Sequence, residues 1–369
     1  MKGNLAIIGA SYLQLPLIKK AKELGYCTHV FAWKSNDVGE KEADYFYPIS
    51  IIEKEKILEK CKSIGICGIC SIASDLAVIT VNYVSEKLEL CGNKILSTMK
   101  CTNKYAMREA FYHQNDPCPR YLLIDDCGSI NIQNLQYPLI VKPTDRSGSR
   151  GVCRIENSAE LKKAIHHAML ESFEKKVIIE EFVEGQEYSV EYISYRGTHS
   201  FLAMTKKFTT ESPNYIETGH MEPALVEENI LQRVKDIVEH ALNTLEIKNG
   251  ASHTEIKITK NQEIKIIEVG ARMGGDCIGS DLVRYSTGYD YIKMVIDIAC
   301  GQAPSFKKVC RPVAVEIRYI ITREDLYKFQ ELQKKCPNKI LKIIDFCPEN
   351  IGKITDSSNR AGCYIKLVN

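Results

Sequence analysis

Two glutamates in a predicted β-hairpin are the residues whose types and spacing point most directly to chemistry. The segment from His253 to Glu268 has two alternating strands, and a two-residue turn is expected at Asn261-Gln262. That turn places Glu255 directly opposite Glu268 on one face, while isoleucines fill the other face. Two carboxylates roughly 5 Å apart repel each other, and such a pair suits Mg²⁺, which takes oxygen ligands. The alternative is a solvated strand face that tolerates two acids.

A glycine-rich loop next to a lysine in an apolar strand is the second feature. The loop Ser147-Gly148-Ser149-Arg150-Gly151 lies between the predicted strands Pro138–Pro143 and Val152–Ile155. It is not a P-loop, because a P-loop leads into a helix N-terminus, but its backbone N–H groups could still cover phosphates. Lys142 lies inside the first of these strands, where a buried cation needs an anion such as a triphosphate. An ordinary turn is the alternative.

Consecutive acids at the end of a third apolar strand also need partners. The strand that begins at Val177 ends in Glu180-Glu181-Phe182-Val183. An adenine base held by backbone groups of Glu181 and Val183 would supply a partner at this position. The alternative is a strand that simply emerges into solvent.

In this order along the chain, these segments resemble the ATP-grasp superfamily. The resemblance covers about residues 93–303 and rests on an ordered set of motifs. The motifs are a helix with Lys104, Val-Lys142-Pro, the Gly/Ser loop, Glu-Glu-Phe-Val183, Glu-Gly-Gln-Glu187, His-Thr-Glu255 and Ile-Glu268-Val-Gly-Ala-Arg272-Met-Gly-Gly. Several motifs in the family's order are far more specific than any one of them.

The resemblance implies that ATP and Mg²⁺ (or Mn²⁺) are the cofactors and assigns residues to the triphosphate end. Lys104 and Lys142 would contact the phosphates, and the loop Ser147–Gly151 would close over them. Glu255 and Glu268 would bind the metal ion.

At the other end of the nucleotide, the resemblance implies that Glu180, Glu181 and Val183 hold the adenine and that Glu187 binds the ribose. It also implies that Arg272 stabilises the transferring phosphoryl group.

One position departs from the family pattern. Many members carry Asn two residues after the second metal glutamate, where this chain has Gly270, so a possible metal ligand is missing.

The segments 216–223 and 270–276 resemble the subgroup that includes L-amino-acid (dipeptide) ligases and related carboxylate–amine ligases. His220 would then lie near the substrate end, although a structural histidine is the alternative. The tail around Arg360 resembles the same subgroup, but we assign no catalytic or binding role to it.

The subgroup implies an ADP-forming carboxylate–amine ligase that works through an acyl phosphate. Its small-molecule substrates would be a carboxylate, such as an amino acid, and an amine. A bicarbonate-activating ligase of the biotin-carboxylase or carbamoyl-phosphate type is one alternative, and a non-catalytic ATP-binding module is another. The presence of Lys142, Glu255, Glu268 and Arg272 together argues against a pure binder. Homodimers are frequent in the family, so a homodimer is a further expectation.

The elements that must position these residues form an α/β chain of three parts. Strand–helix alternation with apolar strands predicts a small doubly wound parallel domain at residues 1–95. Its first turn lacks the further glycines of a dinucleotide fingerprint, which disfavours a Rossmann dehydrogenase. A two-lobed α+β ATP-grasp region is expected at 96–305, beginning with a helix at Lys100–Gln114, and a small α+β lobe at 306–369.

Composition excludes several other classes of protein. The 369 residues carry a formal charge of +2, which gives no reason to expect a nucleic-acid or membrane partner. A hydrophobic content of 44% supports a large core rather than disorder. We expect no membrane span and no secretory signal. The 15 cysteines lie mostly in apolar runs, which favours free thiols and a cytoplasmic location.

Overall fold

A computed structural model of the chain describes residues 2–125, 132, 134–210, 216–344, 347–351 and 360–368. The described strands form three sheets, one parallel and two antiparallel. Among the described residues, no helix has both the length and the apolar character needed to cross a membrane.

The N-terminal sheet is parallel, with strand order β3-β2-β1-β4. Its strands and the helices between them are β1 (Asn4–Ile8), α1 (Leu15–Glu23), β2 (Cys27–Phe31), α2 (Val38–Glu42), β3 (Tyr45–Tyr47), α3 (Lys54–Ile64), β4 (Ile66–Cys70) and α4 (Asp75–Lys87). Alternate residues of β1 pack into two different hydrophobic cores. Leu5 and Ile7 pack on the α1 side, and Ala6 and Ile8 pack on the α3–α4 side. Helices therefore cover both faces, as the apolar strands predict.

The predicted helix at Lys100–Gln114 is wrong in its bounds, because the structure has two helices there. α5 spans Ile95–Thr102 and α6 spans Lys104–Gln114. Asn103 separates them with an extended backbone, and its side chain accepts hydrogen bonds from the first-turn N–H groups of α6. The cap places Lys104 at the first position of α6, where its side chain contacts Glu268 and the carbonyl of Arg146.

The small sheet is antiparallel and has the order β5-β8-β6-β7. It consists of β5 (Tyr121–Ile124), β6 (Leu139–Pro143), β7 (Cys153–Ile155) and β8 (Val177–Glu181), with α7 (Ser158–Glu171) packed on one face. The loop between β6 and β7 is the glycine-rich segment, which thus connects two antiparallel strands as expected.

The central sheet has eight antiparallel strands in the order β13-β12-β9-β10-β11-β14-β16-β15. Its elements are β9 (Gln186–Tyr195), β10 (Thr198–Thr209), β11 (Glu217–Glu222), α8 (Glu228–Thr244), β12 (Gly250–Ile258), β13 (Ile264–Gly270), a π-helical turn (Ile278–Leu282), α9 (Val283–Thr287), α10 (Tyr291–Ala299), β14 (Val315–Tyr319), α11 (Arg323–Lys335), β15 (Ile340–Ile344) and β16 (Cys363–Leu367). The C-terminal strands therefore extend the central sheet through the β11–β14 pair.

The two faces of the central sheet differ in chemistry. Val190 and Tyr192 of β9 pack under α8 with other apolar residues. The intervening residues Ser189 and Glu191 therefore lie on the opposite face, which is polar at this end and packs Ile193 against α10 at the other end. The mixed α/β class, with a parallel N-terminal sheet and antiparallel sheets after it, is confirmed; the domain boundaries stay predictions.

Candidate functional site

The β12–β13 hairpin pairs Glu255 with Glu268, as predicted, although its turn is longer than predicted. Ile258 pairs with Ile264, and the N–H of Thr259 donates to the carbonyl of Glu263, so residues 260–262 form a three-residue turn. The prediction of a two-residue turn is wrong, and with the longer turn alone the two glutamates would not lie opposite each other.

A β-bulge in β13 restores the predicted pairing. The register changes between Glu255 and Ile256, which leaves Ile267 as the extra residue of β13. The carbonyl of Ile267 accepts a hydrogen bond from Arg108 Nη2 at 2.6 Å. Helix α6, which carries Arg108, thus holds the bulge that brings Glu268 opposite Glu255.

Glu255 belongs to a cluster of three carboxylates around one buried ammonium. Lys207 Nζ lies 2.8 Å from Glu187, 2.9 Å from Glu217 and 2.7 Å from Glu255. Burial opposes the charge of Lys207, but the three acids outweigh it and raise its pKa. Burial likewise works against the Glu255 carboxylate, yet Lys207 and His253 hold its pKa well below the usual range. Glu255 is therefore ionised at neutral pH, as a metal ligand must be.

Glu268 is joined to the phosphate end of the site by Lys104. The Nζ of Lys104 lies 2.7 Å from Glu268 Oε1 and donates to the carbonyl of Arg146 at 2.9 Å. The backbone N–H of Lys104 also donates to the carbonyl of Thr144 at 2.7 Å. The start of the glycine-rich loop is thus fixed to the residue that contacts Glu268.

Lys142 lies in a buried ion cluster on the small sheet. Its Nζ is 2.7 Å from Glu180, whose other oxygen is 2.9 Å from Arg108 Nε. Burial together with the positive charges of Arg108 and Lys104 lowers the pKa of Lys142 despite Glu180. An anion placed beside Lys142 would relieve this imbalance of charge.

The side chains of the predicted adenine segment are engaged by the protein itself. Glu180 is paired as described, and Glu181 Oε1 lies 2.6 Å from Arg120 Nη2 and accepts from the N–H of Gln136. The carbonyl of Val183 accepts from Lys257 Nζ at 3.2 Å. The N–H of Glu181 also donates to the carbonyl of Arg120 at 3.0 Å, so backbone groups of this segment are engaged as well, and the expected contacts of Glu181 and Val183 with a base stay a prediction.

The predicted phosphate loop is anchored at its start and exposed at its tip. The carboxylate of Asp145 accepts from Ser172 Oγ and from the N–H groups of Phe173 and Glu174. Residues Ser147 to Arg150 are exposed, and Gly148 and Gly151 have φ angles of +70° and +68° that favour glycine. The loop tip is therefore exposed between two fixed ends.

His253 connects the metal-ligand candidate Glu255 to the interior. Its Nδ1 contacts Glu191, and its Nε2 lies 3.6 Å from Glu255. Burial opposes the imidazolium, but Glu191 outweighs it and raises the pKa of His253 to about 9. A Cβ on Gly274 would lie 2.8 Å from both Glu191 Oε1 and His253 Nδ1, so this glycine leaves room for the pair.

Arg272 and His220 occupy different parts of the same polar face. Arg272 forms an ion pair with Asp75 of α4. His220 is fully buried, and among the described residues neither ring nitrogen has a hydrogen-bond partner. Its Nε2 lies 4.0 Å from Asp276. The structure thus brings His220 to the edge of the site and leaves both of its nitrogens available.

Arg360 fills the space between two acids beside His220. Its guanidinium donates to Glu217 at 3.0 Å and to Asp276 at 2.9 Å, and it stacks 3.7 Å from the centre of the Tyr319 ring. Donor atoms of Glu217, His220 and Asp276 lie within 4.8 Å of one another. Because Arg360 already neutralises both acids, this group is better suited to polar substrate contacts than to a second metal ion.

Sequence reasoning missed several residues of this site. They are Asp75, Arg108, Glu191, Lys207, Glu217 and Asp276, and Arg360 received no role. Alternation along β10 was the available signal for Lys207, because it shares a face with the polar Thr205. Glu217 and His220 are three residues apart, so simple alternation would place them on opposite faces of β11. A bulge at Thr218 places them on the same face.

The arrangement can hold a metal ion and a polyanion side by side. Glu255 and Glu268 each engage a lysine through one oxygen and keep about a quarter of the side chain exposed, at 27% and 30%. Their remaining oxygens are the hard donors that Mg²⁺ prefers, so the donor set fits this ion. Lys104, Ser147 and Arg150 line the space next to Glu268, and Lys142 lies buried beside Glu180 on the small sheet.

Comparison with known proteins agrees with this geometry. Residues 135–281 match the ATP-grasp domain family. Alanine–anticapsin ligase of Bacillus subtilis is 26% identical over 303 residues, which cover 72% of this chain and 63% of that protein. The chain thus spans less than two thirds of this relative's length.

Two solved structures share the fold over nearly the whole chain. A phosphoribosylglycinamide synthetase from Anaerococcus prevotii has a TM-score of 0.78 at 25% identity, covering 99% of this chain and 94% of that one. An L-amino acid ligase from Bacillus licheniformis has a TM-score of 0.83 at 22% identity, covering 99% and 93%. With the ordered motifs, these similarities lead to one conclusion: residues 135–281 form an ATP-grasp domain, and the chain as a whole is similar to ligases that carry this domain.

Proposed function

We propose that the protein is an ADP-forming ligase that joins a carboxylic acid to an amine through an acyl phosphate, and that ATP and Mg²⁺ are its cofactors. One observation carries the proposal. Glu255 and Glu268 face each other on the central sheet, and Lys104 connects Glu268 to the glycine-rich loop of the small sheet. The proposed metal ligands and the proposed phosphate-binding loop therefore lie next to each other, an arrangement that would suit phosphoryl transfer.

The proposed nucleotide site lies between the two antiparallel sheets. Lys104 and Lys142 each have an ammonium donor left for phosphate oxygens after their contacts with Glu268 and Glu180. The loop Ser147–Gly151 would cover the phosphates with its backbone N–H groups. Glu255 and Glu268 would hold Mg²⁺, which neutralises charge on the transferring phosphate.

The remaining proposed contacts are at the ends of the nucleotide and at the substrate. Backbone groups of Glu181 and Val183, next to the buried Glu180, would hold the adenine. Glu187 has a second oxygen for the ribose after its contact with Lys207. His220 would contact the substrate.

The chemistry needs positioned charges more than a strong base. A carboxylate oxygen of the acid attacks the γ-phosphorus, and the bond from that phosphorus to the β–γ bridging oxygen breaks, which releases ADP. The amine nitrogen then attacks the acyl carbon, the C–O bond to phosphate breaks, and the nitrogen gives up a proton to solvent. Arg272 carries a fixed positive charge near Glu255 and would stabilise the negative charge that develops at the phosphorus.

An ADP-release assay with pairs of amino acids and small acids, combined with mass spectrometry of the products, tests this function. We expect ADP and phosphate only when an acid and an amine are both present. Glu268→Gln should lower turnover roughly a hundredfold or more, since it removes a charge that acts on the transferring group. The control is Glu263→Gln, an exposed acid at the turn of the same hairpin. Turnover that persists in Glu268→Gln, or ADP formed with bicarbonate and no organic acid, would contradict the proposal.

A further inference from the structure

A cavity of about 580 Å³ opens on the phosphate end of the site and continues away from it as an apolar groove. Its polar end includes Lys104, Ser147 and Glu268. The adenine-segment residues Glu180–Val183 are not among its lining residues, so the cavity is separate from the proposed nucleotide-base site. Its volume lies within the roughly 300–1,000 Å³ that is usual for small-molecule sites.

Two helices and one loop supply the apolar walls of this groove. The apolar lining residues are Leu76, Ile79, Tyr83, Ile95, Met99 and Phe173. Leu76, Ile79 and Tyr83 follow helical spacing on α4, and Ile95 and Met99 are four residues apart on α5, so each helix presents one continuous apolar stripe. Phe173, in the loop after α7, closes the groove on the side of the small sheet.

Four of these six side chains do not pack into a hydrophobic core, whereas Tyr83 packs against the core of the N-terminal sheet. Ile79, Ile95, Met99 and Phe173 are 37%, 37%, 57% and 63% exposed, and none of them belongs to a core cluster of the described residues. Scattered exposed apolar residues need no explanation, but a contiguous patch beside a polar site is typical of a ligand-binding groove.

The cavity lining has as many acids as bases, so the preference for an acidic ligand depends on which bases lack a partner. The acids are Asp75, Asp145, Glu174 and Glu268, and the bases are Lys54, Lys104, Arg146 and Arg150. Lys104 is paired with Glu268, Arg146 lies over the Phe173 ring, and Asp75 is paired with Arg272. Arg150 also lines the cavity, and no acid partner for it is found in the described part of the chain. A carboxylate would give Arg150 a partner next to the residues that hold the phosphates.

We infer that this groove binds the side chain of the carboxylic acid substrate, and that the substrate is an acid with a branched aliphatic or aromatic side chain. This inference rests on the proposed ligase function and names the substrate class. The carboxylate lies at the end with Lys104 and Arg150, and the apolar body extends between α4 and α5. An acid with only a methyl side chain would leave the groove empty and would bind more weakly.

Calorimetry with L-phenylalanine and L-alanine, in the presence of ADP and Mg²⁺, tests the groove directly. We expect the wild-type protein to bind phenylalanine at least tenfold more tightly than alanine. Ile79→Ser and Met99→Ser should each weaken phenylalanine binding roughly fivefold to tenfold and leave alanine binding within twofold. Leu96→Ser is the control, because Leu96 is 59% exposed on α5 and does not line the cavity.

Several results would overturn the inference. One is equal binding of the two amino acids by the wild-type protein, and another is an equal effect of Ile79→Ser and Leu96→Ser. A dimer that dissociates in Met99→Ser, with ligand preference unchanged, would assign the groove to a second copy of the chain instead. Tight phenylalanine binding without ADP release from any acid–amine pair would keep the groove and contradict only the ligase function.

Discussion

Asp75 and Arg272 form an ion pair with two contacts that joins the N-terminal domain to the loop after β13. Arg272 Nε donates to Asp75 Oδ1 at 2.9 Å, and Nη2 donates to Oδ2 at 3.2 Å. Burial disfavours the charge of Asp75, but Arg272 outweighs it and lowers the pKa of that carboxyl. A guanidinium held through two donors of one edge has a fixed orientation. The first residue of α4 therefore positions the arginine assigned to the transferring phosphate.

Replacing Asp75 by Asn should lower the maximal rate more than it affects ATP binding. The amide keeps the shape of the carboxyl but removes the charge, so Arg272 is no longer held in one orientation. We expect kcat to fall about tenfold or more and the KM for ATP to change less than threefold, as measured by ADP release. Asp290→Asn is a matched control, since Asp290 caps α10 and pairs with Lys20 outside the site. An unchanged kcat in Asp75→Asn would show that the pair is only structural.

Gly270 leaves room for this ion pair. A Cβ at this position would lie 3.0 Å from Asp75 Oδ1 and 3.3 Å from the Arg272 guanidinium. Gly270→Ala should therefore lower kcat about threefold to tenfold, and Gly270→Asn should lower it further rather than add a useful metal ligand. Gly275→Ala is the control, because its Cβ would make an ordinary contact at 3.7 Å with Ala73. If Gly270→Asn were as active as the wild type, this steric reason for the glycine would be wrong.

Short-range patterns predicted the elements but not the irregularities that complete the site. Apolar runs located the strands, and alternation placed Glu255 opposite Glu268. The turn length was wrong, and the pairing holds only because Ile267 forms a bulge that Arg108 supports. A bulge depends on a contact between distant segments, so the local sequence of β13 does not reveal it.

The ion pairs of the site were beyond sequence reasoning for a related reason. Asp75 and Arg272 are 197 residues apart, and only the packing of the N-terminal sheet against the central sheet brings them together. Lys207 lies in an alternating strand beside Lys206, and nothing in its own segment indicates that three acids from other strands surround it. Motif resemblance located Lys142 and Glu180, but it did not show that they contact each other.

Removing the ammonium of Lys207 should destabilise the protein and increase its dependence on Mg²⁺. Lys207→Met leaves Glu187, Glu217 and Glu255 without their shared cation, and breaking a buried ion pair typically costs about 3–5 kcal/mol. A divalent ion can partly replace the lost charge, so Mg²⁺ should raise the unfolding free energy of the variant more than that of the wild type.

Urea denaturation with and without Mg²⁺ measures this effect. Lys206→Met is the matched control, because the neighbouring residue lies on the opposite face of β10, over the Phe208 ring. A Lys207→Met protein as stable as the Lys206→Met protein would contradict the assigned role of Lys207 as the centre of the acidic cluster.

Glu222 should make the protein less stable as the pH rises toward neutrality. The side chain is fully buried and accepts hydrogen bonds from Thr205 and Ser286, yet burial raises its pKa to about 7. The folded state holds this proton more tightly than the unfolded state, in which the glutamate has its ordinary pKa of 4.5. Protonated Glu222 therefore contributes fully to the free energy of unfolding below pH 4.5, and this contribution is lost as the pH rises to about 7.

Glu222→Gln removes this titration and keeps an oxygen that can accept a hydrogen bond. We therefore expect the unfolding free energy of the wild type, minus that of Glu222→Gln, to fall by up to about 3 kcal/mol between pH 5 and pH 8. Taking the difference cancels the opposite trend from carboxyls with lowered pKa values, such as Glu255. The exposed Glu239→Gln should give a flat difference over the same range. A flat difference for Glu222→Gln as well would mean that Glu222 is ionised in the folded protein, with Thr205 and Ser286 sufficient to hold its charge.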